Sequence, residues 1–253
     1  MKPGIRIFKN LDELSVRAAE IFVGQAEKAI QERGRFSVVL NGGGTPERLF
    51  QFLATDFREK VDWSNVHFFW GDERCVPSSD PESSYGQARD LLLRHVPVVE
   101  AKVHRIKGEL LPAEAAREYT RTLKEYAAHP LDWPCFDLVY LGMGEDGHTA
   151  SLFPGSPLAG TEPVLPVIAH YQERPAERVT LTPPVFNSAH RVVFMAVGDK
   201  KAATLAEVLS GRYNPELYPA QRIDPKDGKL IWLVDEDAAS RLPVEYVRRF
   251  CEG

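Results

Sequence analysis

Cysteine is scarce in this chain: three residues in 253, at Cys75, Cys135 and Cys251, with no Cys-x-x-Cys pair. An odd and widely spaced set leaves no complete disulfide framework and argues against structural zinc. A reducing compartment is the expectation. Also missing is any apolar run approaching the ~18 residues that span a bilayer, or an N-terminal apolar core of signal-peptide length. The chain is therefore expected to be soluble and cytoplasmic, with no membrane partner. Positive charge is not in excess either: 31 Lys and Arg stand against 36 Asp and Glu, a net charge of −5. That balance argues against nucleic acid as the main partner, although a few local cations suffice to hold an anionic ligand. No low-complexity segment, internal repeat or interdomain linker interrupts the sequence, and no feature points to an obligate protein partner. The expectation is one domain over residues 1–253.

What is present is an alternation of short apolar runs with amphipathic stretches. Strands are expected at 36–40, 66–70, 136–141, 191–197 and 230–234, each nearly continuously apolar, as strands buried on both faces of a parallel sheet are. Between them Leu14, Ala18, Ile21, Phe22 and Ile30 recur at helical spacing, as do Ala116, Tyr119, Leu123 and Tyr126, and Leu205, Val208 and Leu209. The fold class this implies is α/β, a Rossmann-like, mostly parallel sheet with helices on both faces. The proline-rich stretch 154–184 reads as a long irregular excursion carrying a short strand at 164–168.

Ligand sites in such sheets lie beyond the carboxyl ends of the strands, and three turns there carry chemistry. Strand 36–40 runs into Asn41-Gly42-Gly43-Gly44-Thr45-Pro46. Glycine backbone at Gly43 and Gly44, Thr45 as a helix cap and Pro46 at the first helical position would form an anion cradle at a helix N-terminus. Strand 66–70 runs into Gly71-Asp72-Glu73-Arg74. There Arg74 offers a planar fork to a phosphate or carboxylate, and Asp72 or Glu73 could hold a sugar hydroxyl or orient a catalytic group. The third turn follows strand 136–141 and reads Gly142-Met143-Gly144-Glu145-Asp146-Gly147-His148, continuing Thr149-Ala150-Ser151-Leu152-Phe153-Pro154. Its glycines would expose His148 as a general base, with Asp146 orienting the imidazole if the loop folds back. No second histidine stands at ligand spacing and no Gly-x-Ser-x-Gly elbow occurs, so neither a metal centre nor a serine triad is expected.

Together these turns resemble the glucosamine/galactosamine-6-phosphate isomerase and 6-phosphogluconolactonase family over nearly the whole chain. The segments Arg178-Val179-Thr180-Leu181-Thr182 and Gly198-Asp199-Lys200-Lys201-Ala202 are similar to that family as well. The deaminase branch typically has Asp-Glu-Tyr where this chain has Asp72-Glu73-Arg74, and a carboxylate soon after the histidine where this chain has Ser151-Leu152-Phe153-Pro154. The resemblance is therefore to the lactonase branch. It implies hydrolysis of the sugar-phosphate lactone 6-phosphogluconolactone, in the oxidative pentose phosphate pathway, without metal or coenzyme. It also implies His148 as general base, and Arg178, Arg74 and Lys201 among the substrate-binding residues. Lys200 is the neighbouring alternative to Lys201. Two other readings stay open: glucosamine-6-phosphate deamination, and a non-catalytic sugar-phosphate sensor. The sensor usually carries a DNA-binding element, and only 35 residues precede the first expected strand.

Overall fold

A computed structural model describes residues 4–156 and 160–244. Its centre is a seven-stranded sheet in the order β1-β10-β9-β6-β2-β3-β5, and every pairing in it is parallel. These strands are β1 (Gly4–Phe8), β2 (Phe36–Leu40), β3 (Val66–Trp70), β5 (Val103–His104), β6 (Leu138–Gly142), β9 (Arg191–Ala196) and β10 (Lys229–Asp235). The sheet is layered by α1 (Leu11–Arg33), α2 (Gly44–Ala54), α4 (Pro112–Tyr126) and α6 (Ala202–Ser210), with shorter helices α3 (Ser84–Ala88), α5 (Pro183–Asn187) and α7 (Glu236–Ala239). A second, three-stranded antiparallel sheet, β4-β8-β7, is built from β4 (Asp72–Arg74), β7 (Val164–Ile168) and β8 (Glu177–Leu181).

The central strands β2, β3 and β6 are buried almost throughout, as their apolar runs require. α1 covers one face: Phe22 meets Phe36 edge-on at 5.2 Å, and the Tyr140 hydroxyl donates to the Ala18 carbonyl at 2.6 Å. α4 covers the other, with Tyr126 against Phe69 at 4.9 Å. α1 has the termini expected of a long helix. Asn10 caps it by accepting from the Glu13 amide, Asp12 and Glu13 lie in its first turn, and Gly34 ends it in the left-handed region at φ 71°.

Several strands depart from the sequence expectation. β1 precedes the strand at 36–40, so the chain before that point already belongs to the sheet and pairs with β10. It is a short edge strand of mixed polarity, which carries little apolar signal. β5 has two residues, too few for any periodicity. The 154–184 excursion contains more order than expected, since β7 and β8 form an antiparallel hairpin and β4 joins it. The strand expected from 136 begins at Leu138, because the Asp137 side chain is tied to Ser37 through its amide at 2.7 Å and its hydroxyl at 2.8 Å.

At the β3–β5 edge, His67 Nδ1 lies 3.1 Å from His104 Nε2 beside Tyr126. Burial, then the neighbouring His104, Lys102 and Arg35 charges, pulls His67 from 6.5 down to about 4. Burial also lowers His104. A folded value below the unfolded one means that stability is intact above the unfolded value. It is lost as pH falls from 6.5 towards 4, by less than about 3 kcal/mol for His67, whose half-buried ring is partly screened by solvent. Urea midpoints should therefore fall more steeply in the wild type than in His67→Phe between about pH 7 and about pH 4.5. Parallel profiles would refute this.

Candidate active site

The strand order reverses between β2 and β6. From β2 the chain moves outward through β3 and β5, and from β6 it moves the other way through β9 and β10. The crevice at the carboxyl end of such a reversal is where open α/β sheets place ligands. Asn41 bridges it, donating from Nδ2 to the Tyr140 carbonyl at 2.9 Å, while its buried Oδ1 has no partner.

On the β2 side the anion cradle differs from expectation in its capping. α2 begins at Gly44, with Gly43 as the N-cap at φ 111° and no side-chain cap. Thr45 therefore lies inside the first turn, and Pro46 is the third helical residue rather than the first. Only glycine takes the Gly43 conformation without strain, and this leaves the turn's amides unblocked by a capping side chain. The Gly43 amide donates instead to Gln87 Oε1 at 3.0 Å.

Beyond β3, the two acids of the second turn have separate roles. Glu73 faces inward at 2% exposure. It accepts from the amides of Ser84, Tyr85 and Arg74 at 2.7–2.8 Å and from the Ser83 hydroxyl at 3.0 Å. Burial raises its carboxyl, and these donors oppose the rise. Glu73 thus fastens the segment before α3 and is not turned towards a sugar hydroxyl. Asp72 accepts from Ser151 Oγ at 2.7 Å, which locks the end of the histidine loop to β4.

Arg74 and Arg178 stand directly opposite each other in the β4–β8 ladder. Like charges facing across antiparallel strands are destabilising unless a counter-charge sits between them. Both side chains are buried, and Arg74 Nε and Arg178 Nη2 have no partner. Arg74 donates to the Glu82 carbonyl at 2.5 Å and Arg178 to the Pro175 carbonyl at 3.1 Å. Burial lowers the Arg178 guanidinium; Asp72 and Glu82 oppose that effect, while Arg74 and Arg174 add to it. Arg74 also lies 3.9 Å from the Glu82 carboxylate, so the pair is partly compensated, and two guanidinium groups on one ladder can hold an oxyanion.

Beyond β6, the loop closes on itself. The Gly144 amide donates to the His148 carbonyl at 2.9 Å, and Gly147, at φ 84°, donates to Gly144. His148 Nδ1 lies 2.6 Å from Asp146 Oδ1, and the His148 amide donates to the same oxygen at 3.1 Å. Burial works to raise Asp146, but its bond to the His148 ring, the charge of that ring and the His148 amide outweigh it and hold the carboxyl low. Phe153 stacks on the imidazole at 4.4 Å, and Tyr171 meets it edge-on at 4.7 Å. Neither Phe153 nor Tyr171 was singled out by sequence reasoning. Phe153 lies in the run that follows the histidine, whereas Tyr171, on the β7–β8 hairpin, gives no local signal. Phe153 also lies under the Arg178 guanidinium at 5.5 Å, so one ring joins the histidine to the arginine pair.

A methyl group at Gly144 would collide with His148 Nδ1 and Cε1. Gly144→Ala should therefore swing the ring off Asp146 and lower turnover by about 10²-fold or more. The far-ultraviolet circular dichroism spectrum should stay the same. Wild-type turnover in this variant would refute that role for the glycine.

At the end of β9, Lys200 is exposed while Lys201 is half-buried. Burial lowers the Lys201 ammonium, opposed by Glu145 and Asp235. Thr204 Oγ1 donates to the Glu145 carbonyl at 2.6 Å, which ties α6 to the histidine loop. Among the described residues, no group of three or more His, Cys, Asp or Glu is arranged to hold a metal ion. No described helix is long and apolar enough to cross a membrane.

Residues 9–232 match the family model described as glucosamine-6-phosphate isomerases/6-phosphogluconolactonase. The chain belongs to this family. Among curated members, the 6-phosphogluconolactonase of Synechocystis is 37% identical across 96% of this chain and 99% of its own length. That of Haemophilus influenzae is 38% identical across 81% and 86%. The solved 6-phosphogluconolactonase of Trypanosoma brucei superposes with a TM-score of 0.83 at 28% identity, covering 96% of this chain and 99% of that one. A monomeric glucosamine-6-phosphate deaminase shares the fold at a TM-score of 0.79 and 23% identity. Fold alone therefore does not separate the family's two chemistries.

Proposed function

We propose that this chain hydrolyses 6-phospho-D-glucono-1,5-lactone to 6-phosphogluconate, the lactone-opening step of the oxidative pentose phosphate pathway. The observation that carries this reading is the Asp146–His148 pair joined through Phe153 to the Arg74–Arg178 pair. A proton acceptor and an oxyanion site thus belong to one construction. The lactonase names of the curated relatives support the same activity.

In this mechanism the substrate phosphate sits on Arg74 and Arg178, with Lys201 and the Gly43–Gly44–Thr45 turn adding positive potential. Fixing that end orients the C1 carbonyl. Asp146 accepts a hydrogen bond from the Nδ1–H of neutral His148, which leaves the Nε2 lone pair to take a proton from water as the water oxygen bonds to C1. The tetrahedral oxyanion then collapses with cleavage of the C1–O5 bond. The imidazolium returns its proton to O5, giving the C5 hydroxyl, and the new carboxylic acid ionises. Phe153 and Tyr171 keep the imidazole in one orientation through the cycle.

The test is a coupled assay of 6-phosphogluconate formation from freshly generated lactone, corrected for spontaneous opening, alongside an ammonia assay with glucosamine 6-phosphate. Accelerated lactone opening without ammonia release is expected. Ammonia release, or binding of sugar phosphates without turnover of either, would overturn the reading.

A further inference from the structure

A second arginine lacks its counter-charge at the opposite end of the sheet. Arg191 opens β9, and its direct neighbour Lys229 opens β10, so both lie at the amino end of strands whose carboxyl ends border the candidate active site. Six residues of strand at about 3.3 Å each separate the two ends by about 20 Å. Between these strand starts and α1 is a cavity of about 280 Å³, lined on the helix side by Gln25, Lys28 and Arg33.

The charge in this cavity is unevenly used. Asp137, at its wall, is saturated by Ser37 and by Arg33 Nη2 at 2.5 Å. Glu32 is taken by Arg33 at 2.7 Å and Lys28 at 3.9 Å. The remaining lining carboxylate, Asp227, is exposed. Among the described residues no carboxylate pairs with Arg191, and its buried Nε has no hydrogen-bond partner. Burial lowers the Arg191 guanidinium; Tyr140 opposes this, and Arg17 and Arg6 add to it. Arg191 and the adjacent Lys229 thus bring positive charge to the cavity wall with no carboxylate paired to the arginine among the described residues, a setting that favours a bound anion.

We propose that this cavity is a binding site for a compact oxyanion, the phosphate group of a small phosphorylated metabolite, held by Arg191 with Lys229 and Lys28. The fork of Arg191 suits two phosphate oxygens, and the lysines supply further charge. The volume lies below the roughly 300–1,000 Å³ of drug-sized ligand sites, which fits a phosphate on a few carbon atoms and not a dinucleotide. The site is separate from the proposed catalytic one and does not depend on that assignment.

Calorimetric titration with inorganic phosphate, and in parallel with glycerol 3-phosphate, tests it in wild type, Arg74→Ala and Arg191→Gln. One phosphate equivalent should persist in Arg74→Ala and weaken by about ten- to a hundredfold in Arg191→Gln, as loss of a charge-assisted hydrogen bond predicts. Tighter binding of the ester than of the free ion would identify a metabolite phosphate as the ligand, and equal binding would identify the free ion. If the active-site reading were wrong, wild type would show only the equivalent that depends on Arg191. Superimposable isotherms for Arg191→Gln and wild type would overturn the proposal. Should Arg191→Gln fail to fold, the Arg191 Nε–H resonance of the wild type is the readout. A phosphate-dependent shift supports the site, and no shift at saturating phosphate overturns it.

Discussion

Replacing His148 by alanine is expected to lower lactone turnover by about 10²–10⁴-fold, the usual contribution of a positioned general base, with KM little changed. The reason lies in what surrounds the ring. Its Nδ1 is committed to Asp146 at 2.6 Å, and its faces are held by Phe153 and Tyr171. The nitrogen left over is the one available to water. Because Arg74 and Arg178 are untouched by the change, phosphate affinity should persist, and the loss should fall on kcat. Asp146→Asn keeps an acceptor for Nδ1 but removes the charge that steadies the imidazolium, so its loss should be smaller than that of His148→Ala. Wild-type kcat in His148→Ala would exclude the histidine as the base. A large rise in KM with kcat preserved would make it a binding group instead.

The second large effect is expected at the arginine pair. Arg178→Met keeps most of the side-chain volume over Phe153 but removes a buried guanidinium that faces Arg74 across the ladder. KM for the phosphorylated lactone should rise by about ten- to a hundredfold, the loss of one charge-assisted hydrogen bond. Part of the effect can appear in kcat, because binding energy at the phosphate helps hold the carbonyl in place. Stability without ligand should move the other way or stay level, since a buried charge that faces a like charge across the ladder has been removed. The pair of measurements separates anchoring from simple packing. Lost affinity with retained thermal stability supports an oxyanion site. Equal changes in KM for phosphorylated and phosphate-free lactone would refute it.

Much of this site is legible in the amino-acid sequence, and the reason is distance along the chain. Asp146 and His148 are two residues apart inside a glycine-rich turn, so their contact is decided by local backbone geometry. The boundaries of β2 and β3 coincide with the apolar runs at 36–40 and 66–70, because strands buried on both faces must be apolar at every position. The choice between Lys200 and Lys201 is closed to sequence reasoning, since it depends on the phase of the turn that leads into α6. The cap expected at Thr45 fails for a similar reason: one residue of phase moves the helix start to Gly44.

By itself, then, the sequence determined the α/β class, the strands at the centre of the sheet and the three turns at their carboxyl ends. These depend on apolar periodicity and on glycine, both of which act within a few residues. Only the tertiary structure decided that Glu73 turns inward while Asp72 meets Ser151, and that Arg178 comes to lie opposite Arg74. It alone brought Tyr171 from a distant hairpin against His148 and left Arg191 without a counter-charge. Those relations join segments that are far apart along the chain. They are fixed by the order of strands in the sheet and the pairing of β4 with β8, which no local preference encodes.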